Sequence, residues 1–204
     1  MFHHFAAFLG VSALVIVTPG QDTALTIRSV LAGGRRAGFF TAAGVAVGQA
    51  TWTLAAAAGV VALLRASQPA FVAVRILGAA YLVFLGIESL VRAIRHERCA
   101  VRVSARGATG RASFRQGLLS NLGNAKMAVF FTSLLPQFVS VAFWSMTSVG
   151  LVFCTMTFVW LTAYSVAVAK AGDVLRASRV RRILDGITGA VLVAFGIRLA
   201  VERG

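Results

Sequence analysis

The sequence is short of charged and metal-binding side chains. Only 13% of its 204 residues are charged, with six acidic residues against twenty Lys and Arg, and it has three histidines and two cysteines. Soluble domains carry about 25% charged residues, so the composition excludes a soluble monomer and a disordered chain. Two cysteines make no disulfide framework. The histidines fall in termini or loops, and we expect no catalytic site, resident metal or cofactor.

Apolar residues fill most of the chain instead. They make up 58% of the sequence, and the mean hydropathy is +0.84. Uninterrupted apolar runs predict helices, because a barrel strand would alternate with a period of two. We predict an all-α integral membrane protein with a single transmembrane domain over residues 1–204. Its six spans cover residues 5–31, 37–64, 69–91, 116–138, 143–169 and 183–201.

The basic residues predict the orientation. Fifteen of the twenty Lys and Arg fall in the loops that follow segments one, three and five, including a loop at about 92–115. The positive-inside rule places these loops in the cytoplasm and both termini outside. The net charge of +14 is therefore explained by the membrane topology rather than by nucleic-acid binding. Binding of anionic lipid headgroups is a secondary interpretation of the basic 92–115 loop.

The chain resembles itself at an offset of 104 residues. Residues 19–22 overlay residues 123–126, and both stretches interrupt the first span of a half. Three spans per half is an odd number, so the halves would insert in opposite senses. The pattern predicts two inverted-topology repeats, at about 1–98 and 112–204, with helices one and four interrupted. Chance similarity between apolar helices is the alternative.

Asp22 and Lys126 are the charges set deep within interrupted spans, at matching positions of the two halves. A charge in hydrocarbon costs about 2.5–3.5 kcal/mol on insertion scales, so we expect the two to lie near each other between the halves. Helix breaks at Pro19, Gly20 and Gly123 would expose free N–H and C=O groups, which can hold the two ends of a zwitterion. The alternative is a salt bridge that only offsets burial.

Neutral polar residues complete the predicted site. Gln21, Asn121 and Asn124 supply donors and acceptors beside the charged pair. Gln49, within segment two, is a further candidate, although a helix–helix hydrogen bond explains it equally well. A GxxxG pattern at 44–48 favours close packing inside the bundle over a dimer seam. The adjacent histidines at 3–4 have no evident third ligand and make a poor metal site.

Two motifs resemble those of the LysE/RhtB amino-acid exporters. Residues 18–22 read Thr-Pro-Gly-Gln-Asp where that family has T-P-G-P-D, and residues 121–126 match its N-x-x-N-P-K. The likeness extends to Gly-Gly-Arg-Arg-Ala-Gly at 33–38, to residues 78–82 and to residues 134–138. Gln21 and Ala125 each replace a proline of the family, which restores two backbone N–H groups.

The resemblance implies a secondary transporter in the cytoplasmic membrane of a bacterium, which exports amino acids or related small zwitterions. As a mechanism we expect the substrate carboxylate near Lys126 or a broken-helix N-terminus, and its ammonium near Asp22 and the amide oxygens. Asp22 would take up a proton when substrate leaves, so protons are the expected coupling ion. The alternatives are export of a metal ion or an organic cation, and a non-transporting membrane partner in which the pair is structural. A homo-oligomer is left open.

Overall fold

The protein is built from helices. The structure, a computed structural model, describes residues 2–18, 20–67 and 109–171, with isolated residues between 69 and 94 and between 190 and 197. Pro19 and most of predicted segments three and six lie outside the described residues. The described part contains no strand, which confirms the all-α class, while the six-span inverted repeat stays a prediction. The helices are α1 (Phe2–Val17), α2 (Gln21–Ala66), α3 (Gly110–Leu122), α4 (Ala125–Val129) and α5 (Phe143–Ala171).

Helix α2 is two helices joined at a glycine pair. Gly33 has φ −144° and ψ 18°, and Gly34 has φ 68° and ψ −166°, a left-handed conformation that favours glycine. We call the two parts α2a (21–32) and α2b (35–66). The two parts fold back on each other, as the hydrogen bond from the Thr41 hydroxyl to the Ser29 hydroxyl at 2.8 Å shows. The turn falls in the predicted loop between segments one and two.

The fourth predicted segment begins earlier than expected. Helix α3 starts at Gly110 rather than at 116, because the Thr109 hydroxyl caps it by accepting the Ala112 N–H at 3.3 Å. Arg111 and Arg115, assigned to the 92–115 loop, therefore lie on exposed positions of a helix. After α4 the chain continues as a π-helical turn, Phe130–Leu134, and a 3₁₀ turn, Leu135–Gln137.

Helix α2b lies at the centre of the described bundle. Helix α3 runs parallel to it, since Gly110 contacts Phe40 and, further along both helices, Asn121 contacts Gly48. Helix α5 runs antiparallel, with contacts between residues 38 and 165 at one end and between 53 and 150 at the other. These are the relative directions that the predicted topology assigns to spans two, four and five.

Small residues allow α2b and α3 to pack closely. A Cβ atom added at Gly44 would overlap the Phe114 carbonyl oxygen, and one added at Gly117 would overlap the carbonyl of Thr41. The GxxxG pattern at 44–48 is thus used inside the bundle, as predicted.

The apolar core gathers the ends of several helices. Phe8 of α1 and Phe153 of α5 are fully buried with Phe130 and Phe131, and the rings of Phe130 and Phe153 stack with centroids 4.3 Å apart. Two of the described helical stretches, Gln21–Val60 and Phe143–Lys170, are long and apolar enough to cross a bilayer.

Candidate functional site

The two predicted helix interruptions are present, and they face each other. Helix α1 ends at Val17 and α2 begins at Gln21, while α3 ends at Leu122 and α4 begins at Ala125. Each interruption is narrower than the motif that predicted it. Asp22 and Lys126 therefore lie in the first turns of helices, where the backbone fixes their positions.

Asp22 is held by amides from the opposite interruption. Its Oδ2 accepts the side-chain N–H of Asn121 at 2.9 Å and that of Asn124 at 3.4 Å. Asp22 also lies in the first turn of α2, where the helix dipole favours a negative charge. Two donors and a helix N-terminus together stabilise a half-buried carboxylate.

Lys126 is held by the backbone of the opposite interruption. Its Nζ donates to the Val15 carbonyl oxygen at 2.9 Å. In a continuous helix that carbonyl would accept the N–H of residue 19, but proline has none. The ammonium therefore satisfies a carbonyl at the C-terminal end of α1, where the helix dipole favours a cation.

A direct electrostatic pairing of Asp22 with Lys126 stays a prediction. Each side chain is anchored by hydrogen bonds to groups of the other's interruption: Asp22 to two amides, Lys126 to a main-chain carbonyl. We call this arrangement the crossed contacts. The crossed contacts connect the interruption of predicted span one with the equivalent interruption of predicted span four.

The remaining polar residues of the motifs support these contacts. The Asn124 Oδ1 accepts the Lys126 N–H at 3.1 Å and so caps α4, while its amide N–H serves Asp22. Gln21 is exposed and donates to the Ser120 carbonyl at 3.4 Å. Gly20 lies beside the ammonium, since a Cβ there would be 3.9 Å from the Lys126 Nζ.

Helix α2b contributes to the site from the side. Gln49 is buried and donates to the Met127 sulfur at 3.6 Å. Trp52, which sequence reasoning missed, donates its indole N–H to the Asn121 carbonyl oxygen at 3.3 Å. Its spacing of three residues from Gln49 was the available signal, because residues i and i+3 share a helix face.

The described residues also form an apolar groove. It has a volume of about 620 Å³ and runs between α1 and α5, lined by residues such as Ile16, Val17, Leu151 and Trp160. The described residues that line it carry no charged side chain, so they do not match the charged ends of a zwitterion. The described residues include no group of three or more His, Cys, Asp or Glu placed to hold a metal ion.

Comparison with known proteins agrees with the motifs around the two interruptions. A model of the LysE type translocator family matches residues 13–203, nearly the whole chain. The protein belongs to this family. It is thus a multi-pass membrane translocator and not an enzyme, which confirms the resemblance predicted from residues 18–22 and 121–126.

Several relatives align over almost their full length. A leucine efflux protein of Klebsiella pneumoniae is 29% identical over 206 residues, covering 97% of this chain and 94% of the relative. An uncharacterized membrane protein of Pseudomonas aeruginosa is 33% identical over 199 residues, covering 94% and 92%. One of Bacillus subtilis is 26% identical over 209 residues, covering 98% and 100%. No solved structure matches the chain.

Proposed function

We propose that the protein exports amino acids, or small zwitterions of similar shape, across the cytoplasmic membrane. The crossed contacts carry this proposal: a carboxylate and an ammonium lie at two facing helix interruptions, each held by the opposite one. Such a site matches a zwitterion in charge, and paired interruptions are where transporters of this plan bind substrate. Relatives named leucine efflux proteins support the substrate class and the outward direction.

The proposed binding mode follows from the donors and acceptors present. The substrate's ammonium faces Asp22 and the amide oxygens of Asn121 and Gln49. Its carboxylate lies near Lys126 or near the N–H groups that open α2, where the helix dipole favours an anion. Both interruptions contribute, so the substrate would sit between the two predicted repeats.

Proton coupling is the second part of the proposal. Asp22 is the acidic residue of the site, and when the ammonium leaves, a proton can replace it on the carboxylate. Export would then exchange one positive group for another at the same oxygen atoms. One charge moving through 100 mV supplies about 2.3 kcal/mol, enough to drive a useful concentration gradient.

The transport cycle requires the crossed contacts to break and re-form. They join span one to span four, so they close the site when the predicted repeats approach each other. We propose that the repeats rock about this point, with both termini outside. Exposed basic residues are grouped at one end of the described bundle, where contacts of residues 38 and 110 bring the helix ends together. This grouping supports the proposed orientation. The basic residues are Arg35, Arg36, Arg111, Arg115 and Lys170.

The decisive experiment is export by an Asp22→Asn variant in proteoliposomes loaded with a panel of labelled amino acids. Asparagine keeps an oxygen that accepts the Asn121 N–H but cannot exchange a proton. We expect the variant to fold and insert, and to lose proton-driven export by about a hundredfold or more. A Thr51→Val variant on the exposed face of α2b is the control and should transport normally.

Two results would contradict the proposal. Unchanged proton-driven export by Asp22→Asn would remove Asp22 from the coupling step. Absence of export for every amino acid in the panel, with protein that is folded and inserted, would reject the substrate class. The non-transporting alternative, with a purely structural pair, would then be favoured.

A further inference from the structure

Three buried oxygen atoms around the site have no hydrogen-bond donor in the part of the chain that the structure describes. They are Asp22 Oδ1, Gln49 Oε1 and Asn121 Oδ1. Gln49 is 1% exposed and Asn121 is fully buried. Four other buried atoms of the described residues also lack a partner, but these are hydroxyl oxygens, which can donate as well as accept. The carboxylate and amide oxygens can only accept.

The three oxygens belong to side chains of residues that are linked by contacts. The Asn121 amide N–H donates to the other carboxylate oxygen of Asp22, which fixes both side chains. On its far side, Asn121 Oδ1 lies against the backbone of α2b, 2.9 Å from where a Cβ of Gly48 would be. Gln49 is the next residue; its amide N–H donates to the Met127 sulfur, and its oxygen has no donor among the described residues.

Among the described residues this cluster has acceptor oxygens without donors, so a ligand that fits it must supply hydrogen-bond donors. A primary ammonium group carries one positive charge and three N–H donors. It therefore matches three acceptor oxygens, one of them on a carboxylate, in both number and charge. A tertiary ammonium has one N–H donor and leaves two buried acceptors without a partner, which is unfavourable.

The carboxylate end of a substrate is specified differently. The cation of the site, Lys126, already donates to the Val15 carbonyl oxygen. A substrate carboxylate that recruits Lys126 must replace that hydrogen bond, so its net gain is smaller. The substrate's ammonium meets oxygens that have no donor among the described residues, whereas its carboxylate meets Lys126, which already donates to Val15.

We propose that the site recognises the primary ammonium group first, and therefore also binds primary alkylamines that have no carboxylate. This inference rests on the proposed function, because it names the part of the amino acid that the same site reads. It extends the ligand class to decarboxylated amino acids. It also predicts that N-alkylation of the amine is penalised more than loss of the acid.

The test uses three analogues of leucine. These are 3-methylbutylamine, which lacks the carboxylate, its N,N-dimethyl derivative, and 4-methylpentanoate, which lacks the amine. Each is added to proteoliposomes that export labelled leucine, and to purified protein in a thermal unfolding assay. We expect 3-methylbutylamine to compete within about tenfold of unlabelled leucine and to raise the melting temperature, and the dimethyl derivative to be at least about tenfold weaker.

Other outcomes separate this inference from the proposed function. If leucine is exported and 4-methylpentanoate competes while the amine does not, the inference is wrong and the export proposal stands. If no amino acid is exported but the amine still stabilises the protein, the export proposal fails and the amine site stands. Choline chloride serves as the reference salt. If sodium chloride raises the melting temperature above this reference as much as the amine does, the oxygens bind a metal cation and the inference is wrong.

A variant of Gln49 locates the recognition. Gln49→Leu removes one acceptor and keeps a similar volume, and Gln49→Met is the second variant if the first does not fold. We expect the preference for 3-methylbutylamine over its dimethyl derivative to shrink about tenfold, since one hydrogen bond to a charged group is lost. A merely structural role would weaken both ligands equally and leave this ratio unchanged, which would contradict the assignment. Thr51→Val on the same helix is the control.

Discussion

The two helix interruptions are equivalent in sequence but differ in how their carbonyl groups are satisfied. In the first, residue 19 is a proline without an N–H, and the Val15 carbonyl accepts from Lys126 at 2.9 Å. At the equivalent point of the second, Gly123 has an N–H and donates it to the Leu119 carbonyl at 3.0 Å. The first interruption is thus completed by the second, while the second is closed by its own backbone.

The second interruption is also braced by its neighbours. Gly48 and Trp52 of α2b contact Asn121, and Asn124 caps the helix that follows. A fixed second interruption can present Lys126 and two amides to the first. The second interruption is thus the better-supported side of the crossed contacts.

The largest expected effect comes from removing that brace. In Gly44→Leu the new side chain would overlap the Phe114 carbonyl, a backbone group that cannot move aside. We expect the free energy of unfolding to fall by about 3 kcal/mol or more, or the protein not to fold. Thermal unfolding and size-exclusion chromatography in detergent measure this. Gly59→Leu is the matched control, because a Cβ there meets nothing within 4 Å. Equal melting of the two variants would show that α2b does not brace α3.

A smaller effect is expected when the second interruption is made like the first. Gly123→Pro removes the N–H that serves Leu119, although φ of −83° nearly suits proline. A carbonyl left without its donor costs about 1–3 kcal/mol, and it would compete for Lys126, so export should fall about tenfold.

The control for this change keeps the N–H. In Gly123→Ala the added Cβ would lie 3.4 Å from the Leu119 carbonyl oxygen, an ordinary contact. Export and unfolding of the alanine variant should stay close to those of the unchanged protein. If the proline and alanine variants export and unfold alike, the N–H of residue 123 does not affect function.

The smallest expected effect separates the two roles of Asn124. Serine still caps α4 but is too short to donate to Asp22, so Asn124→Ser should lower export severalfold and change stability by less than about 0.5 kcal/mol. Asn124→Ala loses the cap as well and should cost a further 0.5–2 kcal/mol, approximately. Thermal unfolding and export rates measured together test this. A serine variant that is as unstable as the alanine variant would contradict the assigned cap.

Sequence reasoning located the interruptions because broken helices leave local signatures. Pro19, Gly20 and Gly123 interrupt apolar runs, and a charge within such a run is costly enough to require a partner. The same reasoning set the interruptions too wide, since Asp22 and Lys126 are helical. It also placed Arg111 and Arg115 in a loop, because the Thr109 cap that starts α3 early is a weak signal next to the apolar pattern.

By itself the sequence determined the helical class, the two interruptions and the opposite charges beside them, because hydrophobicity, proline and charge act within a few residues of the chain. Only the tertiary structure decided the partners. Asp22 meets two amides, Lys126 meets a main-chain carbonyl, and Trp52 reaches Asn121. These contacts join residues that are about seventy to over a hundred positions apart, and they depend on how closely glycine lets α2b approach α3. The glycine pattern at 44–48 predicted close packing, but it does not say which helix packs there.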